Sequence, residues 1–201
     1  MIYVVGLGPG AAEYRTPLAN KTIAQADWIV GSTRQLNLVS HQHAKIHMLD
    51  RYLADLVKWL RIHHQENIVV LASGDPMLYG IGKLISKELK DLGVSIISGI
   101  SSVQYLLAKI GLDMNDIYLT STHGKQPDFD FLLQHKKVAF MTDNNIGPVQ
   151  IAQEVRNRGL QRMMVIGEKL SCADEKITVL PADCVQQRVY QMNVVVIYDE
   201  R

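Results

Sequence analysis

Val69-Val70-Leu71-Ala72-Ser73-Gly74-Asp75-Pro76-Met77-Leu78-Tyr79-Gly80 decides how the rest of the chain is read. A run of aliphatic and β-branched residues, as in a strand buried on both faces, breaks abruptly into Ser-Gly-Asp-Pro. An apolar-polar pattern follows, and it predicts a helix over 79–92. In an open α/β sheet the carboxyl end of a strand is where ligands bind. Gly74 suits a close approach of ligand to main chain, and Pro76 suits the first turn of a helix. Asp75 is left with a carboxylate projecting from the turn. The same residues would also make an unliganded strand-to-helix connection.

Working outward, strand patterns recur at 2–6, 27–31, 44–49, 67–72, 94–98, 116–121, 137–142, 162–167, 175–180 and 193–199. Helical patterns fall at 15–26, 50–64, 79–92, 101–110, 127–135 and 146–158. This alternation predicts an α/β protein with two packed lobes, each built on a mostly parallel five-stranded sheet. A short connection between the last two strands points to a mixed or antiparallel edge near the end of the chain. Gly111 to Asp116 separates a helix from a fresh strand, giving expected lobes at 1–112 and 113–201. A cleft between such lobes is a common place for a ligand.

Composition narrows the field. Among 201 residues, 21 Lys and Arg face 20 Asp and Glu, and 47% are hydrophobic. That is a globular balance without the clustered basic footprint of a nucleic-acid binder. No apolar run reaches the roughly 20 residues of a membrane-spanning helix. The chain opens directly on a strand, and Cys172 and Cys184 stand outside any C-x-x-C pattern. The expectation is a soluble cytoplasmic protein with reduced thiols, no nucleic-acid partner and no membrane contact.

Three further strand ends carry candidate chemistry. Gly6-Leu7-Gly8-Pro9-Gly10 is a glycine-rich turn whose spacing departs from the dinucleotide G-x-G-x-x-G, with Asp27 ahead of its strand, not at its end. It brings backbone amides close to a ligand, or else makes a plain tight turn. Ser98-Gly99-Ile100-Ser101-Ser102 places hydroxyls at a helix entry, for capping or for contact. Thr120-Ser121-Thr122-His123-Gly124-Lys125 sets an imidazole and a cation at another strand end, where they would contact carboxylates or move a proton, or simply face solvent. His41, His43, His47, His63, His64 and His135 lack the accompanying ligands of a metal site, so no protein-bound metal is expected.

In this order, these turns resemble the tetrapyrrole methylase family, the class III S-adenosylmethionine-dependent methyltransferases. The family's G-x-G-P-G is matched at Gly6–Gly10, its G-D-P-x-x-Y/F-G at Gly74–Gly80, and its serine turn at Ser98–Ser102. Within the family, Asp27-Trp28-Ile29-Val30-Gly31-Ser32 with Arg34, Ser102-Val103-Gln104, and Ser121 to Lys125 most resemble the branch acting on the C5 meso carbon of cobalt-precorrin-7. Lys125 stands where that branch carries arginine, which keeps charge but loses bidentate geometry.

The resemblance implies methyl transfer from a sulfonium to an electron-rich, enamine-like carbon, leaving S-adenosyl-L-homocysteine. Positioning then supplies much of the catalysis. A strong carboxylate beside the sulfonium would favour the ground state over the transition state. By motif, Pro9, Gly74, Asp75, Leu78, Ser101 and Ser102 are expected to hold S-adenosyl-L-methionine, with Met141 and Gly167 closing over it. His123 is expected to handle a proton or orient substrate. Arg15, Arg34, Lys109 and Lys125 are candidate partners for the carboxylates of a tetrapyrrole. The resemblance also implies a homodimer, and a C15-methylating, decarboxylating activity residing on another protein. The alternatives are another precorrin methylase, a diphthine-synthase-like methyltransferase, or a non-catalytic lobe that senses its ligand.

Overall fold

A computed structural model describes residues 1–40, 43–50, 52–124 and 126–199. The chain divides into two compact units, Met1–Ser101 and a second from Ser102 onward. The division falls earlier than the expected boundary at 112, because helix Ser102–Ile110 packs on a strand of the second unit.

The first unit holds β1 (Ile2–Gly6), α1 (Pro17–Ala24), β2 (Trp28–Gly31), α2 (Thr33–Leu36), β3 (Lys45–Met48), α3 (Leu53–His63), β4 (Ile68–Ala72), α4 (Gly82–Glu88) and β5 (Ser95–Ile97). Its sheet has the order β3-β2-β4-β1-β5, and every pairing is parallel. Parallel strands need crossovers, and right-handed crossovers fix which face each helix covers. The chain steps one way across the sheet from β1 to β3, so α1 and α2 lie on one face. There Ala19, Ile23 and Leu36 meet Val5, Ile29, Val69 and Leu71. It then steps back from β3 to β5, and α3 and α4 cover the other face with Leu56, Leu60, Ile85 and Leu89. The connections leaving β1 and β4 therefore diverge to opposite faces. That divergence is the topological switch at which open α/β sheets bind ligands.

Helix α4 begins at Gly82, not near residue 79. The Asp75 carboxylate accepts the Met77 amide at 2.7 Å, and the amides of Leu78 and Gly82 bond back to the carbonyls of Asp75 and Pro76. Residues 75–81 thus coil tightly around the Pro76 carbonyl, and Pro76 lies in that coil, not in the first helical turn. The predicted 79–92 helix finishes as a separate 3₁₀ turn, Lys90–Leu92. Helix α2, one turn long, has no counterpart in the sequence reading. It is too short to show a period, and a Ser32–Gln35 capping box holds it.

The second unit contains α5 (Ser102–Ile110), β6 (Ile117–Ser121), α6 (Phe129–Leu132), β7 (Lys137–Met141), α7 (Pro148–Asn157), β8 (Met163–Glu168), β9 (Lys176–Pro181) and β10 (Asn193–Tyr198). Its order is β6-β7-β10-β8-β9. Only β6 and β7 pair parallel; β10 runs antiparallel to both β7 and β8, and β8 to β9. The expectation of a mostly parallel sheet holds for the first unit and is corrected here. The β8–β9 link is too short for a parallel crossover, and β10 inserts at the centre of the sheet, not along an edge. Helices α6 and α7 bury Phe129, Leu132, Ile151 and Val155 against Val138, Phe140, Ile166 and Val195. Helix α5 reaches the opposite face, where Leu106 lies against Gly167.

At the carboxyl ends of β1, β4 and β5, three glycines meet backbone to backbone. A methyl on Gly99 would lie 2.2 Å from the Gly74 carbonyl oxygen, and one on Gly6 would lie 2.6 Å from both that oxygen and the Gly99 nitrogen. Backbone cannot yield as a flexible side chain does. Gly99→Ala is expected to cost about 3 kcal/mol or more. Gly93→Ala has open space around it but a φ of 69°, and is expected to cost about 1–2 kcal/mol. Urea unfolding of the two variants checks the ranking.

Candidate functional site

In the first unit, the loop after β1 carries Pro9 and the loop after β4 carries Gly74, Asp75 and Leu78. The segment after β5 leads to Ser101. An isolated bridge joins Gly8 and Gly74, with the Gly74 amide on the Gly8 carbonyl at 2.9 Å and the return bond at 3.3 Å. Asp75 completes the connection. Its Oδ1 accepts the Met77 amide at 2.7 Å and its Oδ2 the Gly99 amide at 3.2 Å. The carboxylate therefore ties the β4 loop to the β5 loop, where the sequence suggested a group projecting outward. Pro9, Gly74 and Ser101 are buried. Met77 and Tyr79 stand exposed on the rim, with Tyr79 in the left-handed region at a φ of 52°.

Arg34 reaches the same strand ends, donating from Nη2 to the Ser73 hydroxyl at 2.7 Å. Buried Gln35 donates to the same hydroxyl at 3.3 Å. Arg15 bonds within the first unit. Its guanidinium bonds the Leu38 carbonyl at 2.6 Å and Asn20 at 3.2 Å, and burial lowers its pKa. Lys109 lies in the last turn of α5, its ammonium 5.3 Å from the centre of the Tyr105 ring, two turns along the helix from Ser102. Lys125 and His41 lie outside the described residues.

In the second unit, strand register gathers the other expected residues. Ser121 pairs with Met141, Met141 with Val194, and Val194 with Gly167. Directly opposed residues share a face, so these four form one row, on the face where Leu106 packs at Gly167. His123 joins this row through Ser121, whose Oγ lies 2.8 Å from the ring Nδ1 and accepts the His123 amide at 3.2 Å. This pair is no acyl-transfer dyad, because Ser121 is only 2% exposed and a nucleophile must reach its substrate. Asp143, near His123, is held below the usual carboxylate range by the Ile146 amide first, helped by the amides of Asn145 and Gly124.

One residue onward the side chains turn to the other face, where Thr142 bonds Asn193 and Asn193 pairs with Glu168. Glu168 is buried at the end of β8. It accepts both terminal nitrogens of Arg188, one at 3.0 Å, and the Gln191 amide at 3.0 Å. The sequence reading missed this clamp, although a lone acid ending an apolar strand is a visible anomaly. It also missed Ser73, Gln35 and Ser121, whose roles depend on contacts across the sheets.

Across residues 1–185 the sequence matches the family model for tetrapyrrole (corrin/porphyrin) methylases. The chain belongs to the tetrapyrrole methylases. Cobalt-precorrin-7 C(5)-methyltransferase of Salmonella typhimurium is 44% identical over 202 residues, covering all of both chains. The solved precorrin-6Y methylase of Archaeoglobus fulgidus superposes with a TM-score of 0.76 at 23% identity, covering 100% of this chain and 99% of that one. Uroporphyrin-III C-methyltransferase of Thermus thermophilus, solved with S-adenosylhomocysteine, gives 0.75 at 21% identity over 98% and 97%. At those identities the two structures speak to the tetrapyrrole methylase fold alone.

The Glu168 carboxyl is held below its ordinary range, chiefly by the Arg188 guanidinium and further by the Gln191 amide, against the opposing effect of burial. Its contribution to stability is present above the unfolded-state pKa and is lost as pH falls through the lower folded value. Glu168→Gln is therefore expected to lower the urea midpoint at neutral pH. It should also flatten the loss of stability on acidification from about pH 5 to about pH 3. Unfolding curves at stepped pH check both.

Proposed function

We propose that this chain transfers a methyl group from S-adenosyl-L-methionine to the C5 meso carbon of cobalt-precorrin-7 in cobalamin biosynthesis. The full-length 44% identity to the Salmonella enzyme of that name carries the reading. The site chemistry supports it. S-adenosyl-L-methionine, when bound, supplies a methyl group made electrophilic by a sulfonium. The donor set around the glycine turns suits such a ligand: main-chain groups at Gly8, Gly10 and Gly74, and hydroxyls at Ser101 and Ser102. Each oxygen of the Asp75 carboxylate, in the loop after β4, accepts an amide, from Met77 and from Gly99.

Pro9, Gly74 and Leu78 would hold the cofactor through main chain and shape, with Ser101 and Ser102 at the start of α5. In the second unit, the neutral row of Met141 and Gly167 is the proposed cofactor surface. Arg34, fixed by Ser73, would take a substrate carboxylate; we assign Arg15, Lys109 and Lys125 no more than a supporting share. The nucleophile is the substrate carbon itself, so the side chains contribute orientation and exclusion of water, and orientation alone is worth several kcal/mol. Among the described residues no helix is long and apolar enough to cross a membrane. We place the enzyme in the cytoplasm as a homodimer, on family resemblance, with C15 methylation and decarboxylation supplied elsewhere.

The test is to incubate the purified protein with cobalt-precorrin-7 and methyl-labelled S-adenosyl-L-methionine, and to locate the label by NMR. Label at C5 supports the reading. Label at another position makes the chain a different precorrin methylase, and cofactor binding without turnover makes it a sensor. Asp75→Ala removes two amide bonds to a charged acceptor, each worth about 1.5–3 kcal/mol. The affinity for S-adenosyl-L-homocysteine is expected to fall about tenfold or more by calorimetry, with the far-UV spectrum unchanged.

A further inference from the structure

The hydrogen-bond inventory of Ser121 constrains the chemistry of His123. The Ser121 side chain is buried, at 2% exposure for the residue. Its oxygen accepts the His123 amide at 3.2 Å. Among the described residues its own proton has one hydrogen-bond acceptor, Nδ1 of the His123 ring at 2.8 Å. A buried hydroxyl proton left without an acceptor is costly, so satisfaction assigns the bond as O–H donating to Nδ1. A neutral imidazole that accepts at Nδ1 carries its proton at Nε2.

We infer that Ser121 is a positioning residue that holds neutral His123 as the Nε2–H tautomer, so that His123 meets the substrate as a hydrogen-bond donor and not as a proton acceptor. The ligand group it takes is a carboxylate of the tetrapyrrole, and this identification rests on the function proposed above. Near the ring, the Asp143 carboxylate accepts the amides of Asn145 at 2.9 Å and Ile146 at 2.8 Å, both on Oδ1, and that of Gly124. His123 is exposed and lines an open cavity of about 980 Å³ with Thr142, Asn144, Gln150 and Asn193. Among the described residues, Asp143 is the one acidic side chain that lines it. Of the two roles expected from the sequence, orienting substrate and handling a proton, the geometry selects the first.

Two measurements test this, and the first needs no substrate. In a long-range ¹H–¹⁵N spectrum of the free protein at a pH where the ring is neutral, His123 is expected to show a protonated Nε2 and an unprotonated Nδ1. Ser121→Ala should turn this into a mixture of tautomers, and Ser121→Thr should restore the single form. A wild-type ring protonated at Nδ1 overturns the inference. The second measurement compares His123→Gln, whose amide N–H stands near the place of Nε2–H, with His123→Ala. Equilibrium affinity for cobalt-precorrin-7 is expected to fall about tenfold in the alanine variant and less than about threefold in the glutamine variant, with kcat of the glutamine variant largely kept. A loss of about 10²-fold or more in kcat for His123→Gln, at unchanged affinity, would mark a general base and overturn the donor role. Wild-type protein that binds the tetrapyrrole but transfers no methyl would sink the proposed function while leaving the tautomer assignment standing.

Discussion

The meeting of Gly6, Gly74 and Gly99 is the contact on which the first unit depends. Three neighbouring strands, β4, β1 and β5, end with their backbones closer than any side chain allows. That closeness permits the Gly8–Gly74 bridge, and it brings the Gly99 amide within reach of the Asp75 carboxylate. A single methyl at Gly6 or Gly99 would separate the strand ends and undo each of these contacts in turn. The motif glycines are therefore structural requirements before they are ligand contacts. The surface they leave is main chain, placed where the connections from β1 and β4 diverge.

The second unit reaches a comparable result by strand register. Antiparallel insertion of β10 between β7 and β8 aligns Met141, Val194 and Gly167 in one row, and the parallel β6 adds Ser121. The next residues along the strands point to the opposite face and carry the polar work, with Thr142 on Asn193 and Glu168 on Arg188 and Gln191. A one-residue slip would exchange the two sets. It would put a buried carboxylate among the neutral groups expected to face a sulfonium. The bidentate clamp between Glu168 and Arg188 opposes such a slip at the end of β8, because breaking it strands a buried charge.

All ten strand patterns read from the sequence appear as strands, from continuous apolar runs such as Ile68–Ala72 to alternating ones such as Lys176–Pro181. Helix boundaries were less legible where side chains override periodicity. The Asx turn at Asp75 delays α4 to Gly82, and α2 is too short to show a period. Pairing direction in the second sheet was only partly legible, because the position of β10 is set by contacts distant in sequence. Motif residues could be named in advance, but their partners could not. Nothing local in Ser73 announces that it will receive Arg34 and Gln35, and nothing in Ser121 fixes the ring of His123.

Asp75 shows why naming a residue differs from assigning its role. A carboxylate in a motif loop invites a direct part in chemistry with a cationic cofactor. Yet charge on sulfur disperses as a methyl leaves, and a free carboxylate there would stabilise the reactant more than the transition state. The structure resolves the conflict by giving both carboxylate oxygens an amide donor. Asparagine, with one acceptor and one donor, would satisfy Met77 and repel Gly99, so the position calls for an acid even though the acid is turned inward. The requirement for aspartate then comes from joining two loops.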